Sequence, residues 1–175
     1  MTLDLVYVLI LRIVHITSGV LWVGSTMFLV LILEPTVKAA GADGGRFMSK
    51  LGAGNMSKVI SAAAGLTILA GILLYIHNIV VIGGDWAKAG PGLVFGIGAI
   101  FGIAAIVIGG AMVGPLTKKM GALGKEIAAS GGTPSPEQGQ QMAALSERLG
   151  RLSRMALGVA LIALVLMEVA RYIPS

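Results

Sequence analysis

The chain has 175 residues, of which 56% are hydrophobic and 12% are charged, and its mean hydropathy is +0.92. A soluble domain carries about a quarter charged residues, so this composition excludes a water-soluble enzyme and indicates a membrane protein. The chain contains no cysteine, which excludes disulfides, thiol chemistry and cysteine-ligated zinc or iron–sulfur clusters.

Four apolar runs divide the chain, and they cover about residues 5–34, 58–82, 92–114 and 155–173. Each run is close to the about 20 residues that a helix needs to cross a hydrocarbon core about 30 Å thick. The runs lack the alternating pattern of membrane β-strands. The sequence therefore predicts an all-α integral membrane four-helix bundle that forms one domain, 1–175. The first run follows Asp4 and is too long for a signal-peptide core, so we expect it to be a span.

Proline and glycine mark the predicted ends of the first three spans. Pro35 predicts that the first span ends near Glu34, because proline disfavours a helix interior. Beyond it, apolar residues in the glycine-rich connection predict a short interfacial helix: Phe47, Leu51 and Met56. The pair Gly83–Gly84 predicts the end of span two, and Pro91 predicts the start of span three.

The connection between spans three and four, about residues 115–154, carries two apolar stripes at helical spacing. The first consists of Leu116, Met120, Leu123 and Ile127, and the second of Met142, Leu145, Leu149 and Leu152. Between them, Ser135 followed by Pro136 has the pattern of a helix N-cap. We therefore expect spans three and four to extend beyond the bilayer as an antiparallel helical hairpin.

The net charge of +5 follows membrane orientation and gives no sign of nucleic-acid binding. The two long connections hold most cations: Lys38, Arg46, Lys50 and Lys58 in the first, and Lys118, Lys119, Lys125, Arg148, Arg151 and Arg154 in the second. The short turn at 83–91 holds only Lys88. By the positive-inside rule, both long connections and the hairpin are cytoplasmic, and both termini lie outside. The sequence thus predicts a multi-pass protein of the cell membrane.

Ionisable residues inside the predicted spans cluster in the outer half of the bilayer. Counting about 1.5 Å per residue from each span's midpoint places His15 about 7 Å and His77 about 10 Å outward. Glu168 and Arg171 in span four lie about 6 and 10 Å outward by the same count, and Arg12 lies one turn beyond His15. Such groups are costly in hydrocarbon and usually face the bundle interior or a partner. A shared layer of polar groups therefore predicts a site.

One face of span one combines a cation, an imidazole, a glycine and an indole at spacings of three and four residues: Arg12, His15, Gly19, Trp22 and Thr26. Imidazole nitrogen binds haem iron, and Gly19 leaves room for a flat macrocycle beside an aromatic wall at Trp22. We interpret this face as one wall of a haem b site in which His15 is an axial ligand.

The second axial position has two candidates. His77 on the neighbouring antiparallel span is the first, and Met167 at a similar depth is the alternative. Arginine binds carboxylates bidentately, and the cations predicted to hold the haem propionates are Arg12, Arg171 and Lys88. Six-coordinate iron suits electron transfer with a quinone or a redox protein, whereas an open position suits oxidase or gas-binding chemistry.

Simpler interpretations of the same residues stay open. His15 could bond to a carbonyl of another helix or to Glu168, and Glu168 with Arg171 could form a buried structural pair. Arg12 could extend to the outer headgroups.

Two other functions compete with a membrane haem oxidoreductase. One is copper or other metal transport, although few methionines lie in the outer layer. The other is a cofactor-free assembly or regulatory subunit, and a homo-oligomer is compatible with each.

The segment "HITSGVLWVGSTMF" has the form His-x6-Trp-x-Gly-x3-Phe, beginning at His15. With the basic entry to span two and the span that follows, "MSKLGAGNMSKVISAAAGLTILAGILL", it resembles the copper-resistance-D-like and HemJ-type protoporphyrinogen oxidase-related membrane proteins. The later segments "GGAMVGPLTKKM" and "MEVARY" look like those of another family in the same group. The resemblance implies a four-helix membrane bundle and associates His15 with haem b. The segment "LVLILEP" lacks the arginine found there in HemJ-type enzymes, so the resemblance favours haem without naming a reaction.

The predicted topology can be tested with single cysteines, because the natural chain has none. We expect an impermeant maleimide to label Asp85→Cys on intact cells and Thr133→Cys only after permeabilisation, since these positions lie in opposite connections. The cysteine-free parent is the control for background labelling. Labelling of Thr133→Cys on intact cells would show that the orientation is the reverse of the predicted one.

Overall fold

The computed structural model describes residues 3–174, which are almost entirely helical and contain no β-strand. The helices are α1 (Leu3–Ala39), α2 (Gly41–Ala53), α3 (Met56–Ile82), α4 (Gly90–Ala129) and α5 (Pro136–Ala170). Four of them, α1, α3, α4 and α5, are long and apolar enough to cross a membrane. The prediction of an all-α protein with four helices long and apolar enough to cross a membrane is therefore confirmed.

The four long helices form two antiparallel pairs, α1 with α3 and α4 with α5. Smaller contacts between α3 and α4, and between α5 and α1, join the pairs into a ring. At its centre Val23 of α1, Ala105 of α4 and Ala160 of α5 form a buried cluster against which Trp22 packs. Small side chains let the helix backbones approach closely, which is how helices associate in lipid where burial itself gives little stabilisation.

Pro35 does not end the first helix near Glu34 as the sequence predicts, because α1 continues to Ala39. A π-helical segment, Leu29–Leu33, immediately precedes the proline turn. A proline lacks an N–H group and its ring clashes with the carbonyl four residues earlier. The wider π turn relieves this conflict, so the helix passes the proline.

A π-helical segment before a proline also occurs in α4. A π-helical segment, Ile108–Val113, precedes Pro115, and the helix continues to Ala129. The helix therefore extends past the predicted end of span three near residue 114, as the apolar stripe beyond it indicates.

Glycines and an N-cap end and start the remaining helices as predicted. Gly83, with φ of +113°, caps α3, and α4 begins at Gly90 beside Pro91. Ser135 accepts a hydrogen bond from the backbone N–H of Gln138, whose side chain accepts one from the N–H of Ser135. This capping box satisfies donors that the first turn of α5 leaves free. The short helix predicted in this connection is α2, although Met56 starts α3 instead.

We call the end of the bundle formed by α2, the last turns of α4 and the first turns of α5 the basic end, because most cations lie there. Glu34 joins α1 to α5 at this end. Its carboxylate lies 2.7 Å from Nζ of Lys38 and 3.4 Å from Nη1 of Arg154, and it packs directly on buried Gly150. A side chain at Gly150 would occupy the position of this carboxylate, so the glycine permits the contact.

The opposite end of the bundle holds an aromatic cluster on α3, α4 and the turn between them. The ring centroid of Trp86 lies 5.3 Å from that of Tyr75 and 6.3 Å from that of Phe95. The hydroxyl of Tyr75 donates to the carbonyl oxygen of Gly92 at 3.1 Å. A β-carbon at Gly92 would lie 2.7 Å from the backbone carbon of Trp86, which is too close for any side chain.

We therefore expect Gly92→Ala to destabilise the protein by about 1–3 kcal/mol, because the new methyl group would collide with backbone that cannot rotate away. Titration with sodium dodecyl sulfate, followed by loss of helical circular dichroism, measures this change in the free energy of unfolding. Gly158→Ala in α5 is the matched control, because a β-carbon there has no neighbour within 4 Å. Equal stability of the two variants would contradict the packing argument.

Candidate functional site

The candidate site starts at His15, whose ring lies between α1 and α3. Its Nδ1 atom is 2.8 Å from the backbone carbonyl oxygen of Thr67. A carbonyl oxygen only accepts hydrogen bonds, so Nδ1 carries a hydrogen, and in the neutral tautomer the lone pair is on Nε2. The ring lies on Gly71, where a β-carbon would be 2.8 Å from Cε1 and 3.0 Å from Nδ1. The absence of a side chain at residue 71 thus creates the space for the imidazole.

Thr67 and Ser18 extend this contact into the bundle. Their hydroxyl oxygens are 2.9 Å apart, and both residues are buried. The hydroxyl of Thr67 also reaches the carbonyl of Ala63 at 2.8 Å, and that of Ser18 reaches the carbonyl of Val14 at 2.5 Å. We call His15, Ser18, Thr67 and Gly71 the histidine contact. Sequence reasoning missed Thr67 and Ser18, although a small polar residue within an apolar span is a known signal of helix–helix bonding.

His77 lies in the same interface between α1 and α3 but at a different level. Its Nδ1 is 3.8 Å from a carboxylate oxygen of Asp4, and its ring centroid is 5.7 Å from that of Tyr7. His77 follows Gly71, which holds His15, by six residues, so it lies about 9 Å further along α3. The predicted layer therefore divides into two levels along this interface, and the two imidazoles meet different partners.

The remaining pocket residues lie in packing contacts. Trp22 packs on the central cluster, and Gly19 faces Thr67, whose Cγ2 would lie 3.5 Å from a β-carbon there. Met167 packs its methyl group on Gly98 of α4, at 3.3 Å from the position of a β-carbon. The Met167 side chain thus fills the interface of the α4–α5 pair, whereas His15 lies in that of α1 and α3.

The predicted cations are exposed. Arg171 pairs with Glu168, but both side chains are more than half exposed, so the expected buried pair is a surface pair. Its guanidinium also lies 5.2 Å from the ring centroid of Tyr172. Lys88 pairs with Asp85 at 2.8 Å. Arg12 is exposed, and within residues 3–174 no carboxylate lies in ion-pair range of it.

Within the described part of the chain, no three histidine, aspartate or glutamate side chains lie together as they would in a metal site. Comparisons with known families, curated proteins and solved structures find no match. The donor that the bundle positions best is the imidazole of His15, whose Nδ1–H is bonded to the carbonyl of Thr67.

The histidine contact predicts that Gly71→Ala destabilises the α1–α3 pair by about 1–3 kcal/mol, because the methyl group would displace the imidazole and break its bond to Thr67. The free energy of unfolding in a detergent titration measures the effect. Gly65→Ala on the same helix is the control, since a β-carbon there has no neighbour within 4 Å. Equal free energies of unfolding for the two alanine variants would show that the position of the His15 imidazole does not depend on the space at Gly71.

Proposed function

We propose that the protein is a b-type haem-binding integral membrane protein in which Nε2 of His15 is an axial ligand. The observation that supports this best is the 2.8 Å bond from Nδ1 of His15 to the carbonyl oxygen of Thr67. Histidines that bind metals almost always donate their other ring nitrogen to a carbonyl or carboxylate, which sets the tautomer and orients the ring. The hydrogen bond from Nδ1 of His15 to the carbonyl of Thr67 matches this pattern.

The donor set favours haem over a bare metal ion. A zinc or copper site takes about three or four protein ligands, whereas haem brings four nitrogens of its own and needs one imidazole. The described residues hold no group of three clustered His, Asp or Glu side chains, and His15 supplies one donor. Copper transport or binding is therefore the weaker alternative. The resemblance of the His15–Phe28 segment to HemJ-type proteins supports the same choice.

We further propose that His15 alone would hold the iron. His77 lies about 9 Å from the level of His15 along α3 and faces Asp4 and Tyr7. Met167 is packed on Gly98. Bound haem would supply a redox-active iron with an open position, which suits oxidase or gas-binding chemistry. Arg12, exposed and one turn from His15, would hold a propionate.

The topology belongs to the same proposal. The basic end faces the cytoplasm, and both termini lie outside a cell membrane, because Lys and Arg accumulate in cytoplasmic connections. The haem would then lie in the outer half of the bilayer, where a quinone or a redox protein is its partner. Exposed apolar residues along the spans are covered by lipid or by a second copy of the chain.

One specific observation favours a second function, that of a cofactor-free assembly or regulatory subunit. The histidine contact satisfies Nδ1 of His15 and the hydroxyls of Ser18 and Thr67 without any added group. Hydrogen bonds of this kind hold membrane helices together by about 0.6–2 kcal/mol each. In this alternative, His15 is a packing residue and the hairpin at the basic end docks another protein.

The absorption spectrum of protein purified from haem-replete cells tests the proposal. We expect a Soret band with the high-spin features of five-coordinate iron, and its loss in His15→Ala because the axial ligand is removed. Size-exclusion elution and helical circular dichroism show whether His15→Ala still folds. External imidazole added to folded His15→Gly is expected to restore haem binding.

His77→Ala is the matched control, and its spectrum is expected to equal that of the natural protein. A low-spin natural spectrum that becomes high-spin in His77→Ala would instead make His77 the second ligand. A colourless natural protein would overturn haem binding and leave the cofactor-free function. Copper at about one equivalent without a Soret band would support the metal alternative.

A further inference from the structure

A groove at the basic end combines apolar and cationic walls. It lies between α4 and α5 beside the π-helical segment Ile108–Val113 and has a volume of about 310 Å³. Its lining residues are Ala111, Met112, Pro115, Leu116, Lys119 and Arg148. The first four form an apolar floor that continues from the membrane-spanning part of α4, and the two cations lie at the end of that floor.

The charges in this groove are not neutralised by the protein. Among residues 3–174, no carboxylate lies within ion-pair distance of Lys119 or Arg148, and both side chains are exposed. The neighbouring cation Arg151 differs, because it lies 3.6 Å from the carboxylate of Glu147. The groove therefore presents two positive charges that come from two different helices and converge on one opening.

The depth of the groove matches the edge of the hydrocarbon. α4 begins at Gly90, and about 20 helical residues cross a core about 30 Å thick. Residues 111–116 therefore lie where the acyl chains end, and Lys119 lies about one turn beyond, at the level of lipid phosphates. The π-helical segment widens the helix at this depth, and such segments are frequent at functional sites.

We propose that this groove binds an anionic phospholipid, with its phosphate between Lys119 and Arg148 and an acyl chain along Met112 and Pro115. Basic pockets between helices at the membrane surface bind anionic headgroups, and charge-assisted bonds from Arg and Lys to phosphate oxygens are strong. A free phosphate would use the two cations but leave the apolar floor uncovered. The acyl chain of a lipid would cover this apolar floor, so the floor favours a lipid over a free phosphate.

Native mass spectrometry of the detergent-purified protein with added phosphatidylglycerol tests the proposal. We expect a phosphatidylglycerol adduct on the natural chain and a loss of about fivefold in its affinity for each cation removed. The variants are Lys119→Gln, Arg148→Gln and the double variant. Lys118→Gln combined with Lys125→Gln is the control for the double variant, because it also removes two positive charges from the basic end but neither residue lines the groove.

Two comparisons distinguish the lipid from other ligands. Phosphatidylcholine is expected to compete weakly because it carries no net charge, and inorganic phosphate is expected to leave the phosphatidylglycerol adduct in place. Displacement of the lipid by inorganic phosphate would reassign the site to a free anion and overturn the proposal. So would equal losses of adduct in the groove variant and the control variant, which would show an unspecific effect of surface charge.

Discussion

The requirement that polar groups inside a bilayer find partners within the protein governs this structure. No water is available in the hydrocarbon to satisfy them, so each unpaired group costs several kcal/mol. The histidine contact meets this requirement between α1 and α3, where the imidazole, two hydroxyls and a backbone carbonyl bond across the interface. The π-helical segments before Pro35 and Pro115 meet it within single helices, because they keep the helix continuous past residues that cannot donate.

Small residues make these polar contacts geometrically feasible. Gly71 receives the imidazole of His15, Gly98 receives Met167, and Gly150 receives the carboxylate of Glu34. In each case a side chain on one helix fills the space that a missing β-carbon leaves on its neighbour. The central cluster follows the same principle with Ala105 and Ala160. These three glycines therefore accommodate larger groups of the neighbouring helix, and a cofactor would have to share the surface that these contacts leave.

The two ends of the bundle differ in chemistry. The basic end carries Glu34 with its two cations and the groove of Lys119 and Arg148, so its contacts are electrostatic. The opposite end carries the aromatic cluster around Trp86 and the His77–Asp4 contact, so ring packing and weak polar contacts hold it. A redox function around His15 and a lipid site at the basic end are thus separated along the bundle, and either could exist without the other.

The sequence alone determined the four apolar helices, their glycine and N-cap boundaries and the stripe that carries α4 beyond the span, because hydropathy and local backbone preferences act within one segment. It also identified His15 as an imidazole within a span that needs a partner. It could not identify Thr67 as that partner, or separate the levels of His15 and His77, because these depend on the register between α1 and α3. Pro35 does not end the helix, because the backbone widens into a π turn before it, and the proline alone does not indicate that turn. Register and close approach arise between segments, and only the tertiary structure decided them.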